Sequence, residues 1–146
     1  YRDMDSGLRS GSVFENFRYN IQFAHAKAPI THRIGTLDGW FSDIGIFDAV
    51  FIDGDHCASA TRADIILGKR LVLDGGLICG DDLERQFDPV EWGVMLEHAE
   101  QTDFINGYHP GVSVAVYKEF GGPVWVKEAT WAMQKRGREW IVLEGL

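Results

Sequence analysis

No apolar run in the chain approaches the ~18 residues that a membrane span needs, and the opening YRDMDSGLRSGS is polar, so neither a signal peptide nor a membrane partner is read from it. Cysteine is scarce. Cys57 and Cys79 have no CxxC or metal-ligand spacing, and Cys79 lies in an apolar run expected to be buried, which argues for a reduced, cytoplasmic protein. Basic residues are outnumbered, 14 Lys and Arg against 22 Asp and Glu for a formal charge of -8, and no segment gathers them with aromatics into a groove that tracks phosphates. That argues against a nucleic-acid partner and favours a bound cation. Internal repeats and low-complexity segments are also missing. The first residue is Tyr1 rather than Met, and the expectation is a piece of a longer chain.

What remains is an ordinary globular composition, 45% hydrophobic and 12% aromatic in 146 residues, enough for a single domain with one sizeable core. Five Trp are read as core packing in preference to a planar-substrate site. Ser12 and Glu15 have capping-box spacing, and Phe14, Phe17, Ile21 and Ala24 recur at helical intervals, predicting a helix over 13–27 that Pro29 ends. ITHRIG reads as a strand and GTLDGWFSDIG as a loop. FDAVFI, residues 47–52, reads as a buried strand closed by Asp-Gly-Asp. From Ser59 the period turns helical, with Ala60, Ala63, Leu67 and Leu71 on one face, until LDGG at 73–76 stops it. LICG, 77–80, is a second buried strand. Asp88, Pro89 and Glu91 predict a helix running to about Gln101, and Pro110 starts another that Gly121 and Gly122 end. The tail is strand-like in VWV, TWAMQ and WIVL, with a turn around Arg136, Gly137 and Arg138.

Strand, helix and strand within about thirty residues imply a parallel pair joined by a crossover, in an α/β sheet covered on both faces. Ligands of such sheets bind beyond the carboxyl ends of the strands. FIDGDH and the run into Asp81 and Asp82 put Asp53, Asp55, Asp81 and Asp82 at that one edge. Neighbouring strands lie about 4.8 Å apart, so these carboxylates crowd one another unless a cation neutralises them. An all-oxygen set suits Mg²⁺, Mn²⁺ or Ca²⁺. Asp53, Asp81 and Asp82 are the expected ligands, and Asp55 or His56 the expected general base. The simpler alternatives are that Asp55 caps the following helix, Asp82 caps a turn, and His56 is merely solvated. His109 could reach the site, but a helix-start role beside Pro110 is preferred, and His25, His32 and His98 carry no role.

FDAVFIDGDH, the pair Ala63-Asp64, and LVLDGGLICGDDL together resemble the second half of a class I S-adenosylmethionine-dependent methyltransferase, closest to metal-dependent O-methyltransferases of catechols, other phenols and antibiotic sugars. The likeness spans about residues 13 to 83 and is most specific over 47 to 82. It implies a partial Rossmann-like methyltransferase sheet, parallel strands flanked by helices, ending in an antiparallel strand or hairpin. It implies S-adenosylmethionine and a divalent cation as cofactors and a small-molecule hydroxyl as acceptor. The resemblance puts Asp53, Asp81 and Asp82 on the metal, and Asp55 at the acceptor hydroxyl. It sets Gly35, Thr36, Leu37 and Asp38, with Asp53, beside the methyl donor.

The chain departs from the family in having no G-x-G-x-G turn after any strand, as though the first part of the cofactor cradle lay outside it. A sheet lacking those strands has an unpaired edge, which implies that the third strand moves in beside the fourth or that two chains pair as a homo-oligomer. Two other readings stay open: a degenerate methyltransferase-like domain kept for binding or assembly, and a metal-dependent glycosyltransferase, which the Asp-Asp pair and the Gly-Gly turn disfavour.

Overall fold

The FDAVFI run forms β1 (Phe47–Ile52), short and rich in β-branched and aromatic residues, and it pairs in parallel with β2 (Val72–Gly80) through the crossover helix α1 (Ala58–Leu71). This computed structural model describes residues 47–100 and 104–144; the helix expected over 13–27, the ITHRIG strand, the loop after it, His25, His32 and Gly35–Asp38 lie outside them. Two further helices follow, α2 (Trp92–His98) and α3 (Pro110–Phe120), then β3 (Trp125–Lys127), β4 (Thr130–Arg136) and β5 (Glu139–Ile141). The result is a mixed five-stranded sheet in the order β1-β2-β4-β3, with β4 antiparallel to β2 and both β3 and β5 antiparallel to β4.

Register decides which side chains meet. Val50 lies opposite Ile78, Ile52 opposite Gly80, Ile78 opposite Met133 and Gly80 opposite Trp131, so these six share one face. Against that face pack Ile65 of α1 and Val112, Ala115 and Val116 of α3. Burying each aliphatic side chain of this kind contributes about 1.5–3 kcal/mol. A smaller cluster of Ala58, Met95, Ala99, Tyr108 and Val114 joins α2 to the other side of α3. Helical cover was expected on both faces of the sheet; among the described residues α1 and α3 supply it on this one, and Phe51, which alternates to the opposite face, is 56% exposed.

Three local expectations are corrected. LDGG does not separate helix from strand: β2 begins at Val72, directly after α1. Because Phe47 pairs with Val72 and Ala49 with Leu77, the intervening residues bulge out, with Gly75 at φ +83°. The buried face of α1 is Ala58, Thr61, Ile65, Gly68 and Leu71, turned from the apolar stripe because the bare backbone of Gly68 lets the helix approach the sheet. A Cβ there would lie 2.9 Å from Ile78 Cδ1. Helix α2 starts at Trp92 and not at Asp88. Asp88 accepts the Val90 N–H at 2.8 Å, closing a turn, and Glu91 reaches Arg85 at 2.6 Å in place of capping. Both cysteines are free, and no helix among the described residues is long and apolar enough to cross a membrane.

Candidate metal centre

Both parallel strands end in acid, and the ladder continues one residue past them: the Asp81 N–H donates to the Ile52 carbonyl at 3.2 Å. From there the acids diverge. Asp81 Oδ1 accepts the Thr130 hydroxyl at 3.4 Å, toward the start of β4. Asp53 is exposed and lines a groove of about 220 Å³ along β1 and α1, together with Val50, Leu67 and Asp64. Burial, reinforced by the Asp55 charge, raises the pKa of Asp64 above the ordinary carboxylate value. Asp82 takes φ +63°, a left-handed conformation that aspartate tolerates better than most residues. Its Oδ2 lies 2.9 Å from His56 Nε2, and its Oδ1 lies 3.7 Å from His109 Nδ1.

The loop that carries His56 is pinned on three sides. Asp55 Oδ1 accepts the Cys57 N–H at 2.9 Å, the Asp55 carbonyl accepts the Thr61 hydroxyl at 2.9 Å, and the Ala58 N–H donates to the Ala99 carbonyl at 3.0 Å. Asp55 thereby closes a turn onto the N-cap residue, Cys57, whose own side chain makes no capping bond. The Cys57 backbone N–H, helped by its thiol, holds the Asp55 carboxyl below the ordinary aspartate value, which makes it a weaker base than the sequence pattern implied.

His109 enters from the opposite wall, as the N-cap of α3 in front of Pro110. Its side chain makes no capping bond, and Glu84 grips the residue twice: the His109 N–H donates to Oε2 at 3.1 Å, and ring Nδ1 lies 3.0 Å from Oε1. The two imidazoles sit with centroids 4.3 Å apart, and Phe104 packs edge-on against His109 at 4.9 Å. Gly111 makes this approach possible. A Cβ at that position would overlap the His56 carbonyl oxygen and stand 2.7 Å from both Ala58 N and Ala99 O.

His56, Asp82 and His109 each present one donor atom, all within 4.8 Å of one another and all half-buried or nearly buried. Two imidazoles and a carboxylate at that spacing suit a divalent cation. Of the three carboxylates expected to share such an ion, Asp82 belongs to this group, while Asp53 and Asp81 stand outside it. His56, expected as a base beside the metal, is within it. The sequence favoured a helix-start role for His109 over a place in the site, and did not point to Glu84. The available hint was that histidine is a poor helix cap, so its ring had no local employment beside Pro110; nothing comparable pointed to Glu84. Comparison with known proteins adds no relative: no family model matches the chain, and neither the curated proteins nor the solved structures give a match.

Proposed function

We propose that the chain is part of an S-adenosylmethionine-dependent O-methyltransferase that acts on a small-molecule hydroxyl, sugar or phenol, with a divalent cation at the carboxyl ends of β1 and β2. The observation that carries this reading is the His56–Asp82 pair, 2.9 Å apart, joining the ends of two adjacent parallel strands where ligands of such sheets bind. The parallel pair extended by antiparallel strands also agrees with the sheet that the FIDGDH and GGLICGDD motifs imply.

In this reading His56, Asp82 and His109 hold the cation, whose chemistry is to lower the pKa of a bound hydroxyl and fix its oxygen. Asp82, between the two imidazoles, is the anionic centre. Glu84 keeps the His109 ring from turning away, and the bonds from Cys57 and Thr61 to Asp55 keep the His56 loop in register. Asp55, held ionised, adds to the negative field at the rim. Positioning and charge neutralisation are then the main contributions of these residues, worth more in a partly dry site than in water.

Thermal unfolding with added ligands tests the assignment. A ligand at a hundred times its dissociation constant adds about 2.7 kcal/mol, or roughly 5–10 °C for a chain of this size. S-adenosylhomocysteine or S-adenosylmethionine should give that rise, and a rise with UDP-sugars alone would replace the reading with a glycosyltransferase.

A further inference from the structure

We infer that the His56–Asp82–His109 centre selects a first-row transition ion, Co²⁺, Ni²⁺ or Zn²⁺ in chemical type, over Mg²⁺ and Ca²⁺. The inference rests on the metal-dependent reading above and narrows it.

The donor set is the first reason. Mg²⁺ and Ca²⁺ take oxygen ligands and gain little from nitrogen, whereas imidazole suits the later first-row ions. The other carboxylates of this edge lie outside the cluster: Asp81 accepts from Thr130, Asp55 accepts from Cys57, and Asp53 lines the outer groove. What converges within 4.8 Å is two imidazoles and one carboxylate.

The second reason is Glu84. Glu84 contacts His109 at Nδ1 (3.0 Å), the nitrogen that also faces Asp82 Oδ1 at 3.7 Å, and at the backbone N–H (3.1 Å), so both the ring and the N-cap residue of α3 are held by one side chain. The Ser113 hydroxyl donates to the Arg85 carbonyl at 2.6 Å and ties the segment after Glu84 to the same helix. The His109 ring therefore has a fixed orientation independent of any metal.

The test uses the full chain with the metals alone, by competition against a chromophoric chelator and by the visible spectrum of Co²⁺. Expected are binding of Co²⁺, Ni²⁺ and Zn²⁺ at least tenfold tighter than Mg²⁺ or Ca²⁺, and Co²⁺ ligand-field bands of a nitrogen-containing site. His56→Ala and Asp82→Asn should each weaken Co²⁺ binding at least tenfold and change the bands. Asp53→Asn should leave it alone. Equal affinity for Mg²⁺ and Co²⁺, or a Co²⁺ spectrum indifferent to His56→Ala and Asp82→Asn, overturns the inference. Binding of S-adenosylhomocysteine, measured separately in metal-free buffer with chelator, reports on the methyltransferase reading: its absence with a normal Co²⁺ response would remove that reading and leave the metal site standing.

Discussion

Gly111→Ala offers a test in which two physical effects give opposite signs. Gly111 sits in the first turn of α3 with no positive φ, and replacing glycine by alanine in a helix ordinarily stabilises by about 1 kcal/mol. Here the added methyl would overlap the His56 carbonyl oxygen and lie 2.7 Å from Ala58 N and Ala99 O, all backbone atoms of packed segments. Ordinary carbon contacts need about 3.5 Å, so the helix and the His56 loop must separate by something near 1 Å. Overpacking of this kind costs about 1–3 kcal/mol and outweighs the propensity gain. Set against the gain of about 1 kcal/mol, the net loss of up to about 2 kcal/mol should lower the melting temperature by up to about 8 °C at 2–4 °C per kcal/mol. The same movement carries His109 away from His56 and Asp82, while a metal centre tolerates only about 0.2 Å in its ligand distances, so Co²⁺ affinity should drop at least tenfold even where the variant is fully folded. Differential scanning calorimetry and chelator competition read the two effects. A variant that melts above the parent temperature with unchanged Co²⁺ affinity would refute the close approach of α3 to the His56 loop, and with it the geometry assigned to the site.

Two further substitutions examine the frame around the site. Glu119 bridges Arg62 at 2.7 Å and Lys69 at 3.0 Å, clamping α3 to α1; burial opposes its ionisation, but those two cations outweigh burial and keep its pKa below the ordinary value. Glu119→Gln should cost about 1–2 kcal/mol near neutral pH, since it leaves Lys69 without its charge partner. Because the folded pKa is depressed, this contribution is present above the ordinary glutamate value of about 4.3 and is lost as pH falls through the folded value, so parent and variant should converge in stability toward pH 3. Urea melts at pH 7 and pH 3 would settle it, and a constant difference would show that Glu119 acts by packing alone. Trp131, 1% exposed, lies over Gly80 and against Phe120 at 5.7 Å, and Trp131→Ala should cost about 3–5 kcal/mol. A loss under 1 kcal/mol in the same melts would mean that β4 does not close over β2 as described.

The sequence alone was enough for the parallel pair, because Phe47–Ile52 and the run into Gly80 are short, apolar and closed by Asp-Gly or Asp-Asp, and α1 between them keeps a helical period. It was enough for α3 as well, where Pro110 opens the helix and Gly121, at φ +73°, closes it, and for the β4–β5 turn at Gly137, φ +62°. Other features could not be read from local pattern. The β3–β4 turn uses Glu128 and Ala129 at φ +51° and +67° with no glycine to announce it, and it is held by the Leu83 N–H donating to the Ala129 carbonyl at 2.9 Å. The turn of the α1 face toward the sheet depends on Gly68, whose value is the space it leaves for Ile78.

The site divides the same way. Its acidic edge was legible, since strand ends and Asp spacing are local, and so were Asp82 and His56 as members of it. Which of the acids would share space with which partner was not, because that depends on where each chain segment goes next. Asp55 folds back onto the Cys57 N–H ahead of α1, Asp81 turns toward Thr130, and Asp82, reversed at φ +63°, meets two imidazoles. One of them arrives from residue 109, brought to within 4.3 Å of the other by a helix that only a glycine allows so close. The sequence determined that charge collects at this edge, by the alternation and termination of its strands. The tertiary structure decided that the charge is answered by nitrogen, because proximity between distant segments is fixed by packing, and packing has no local signature.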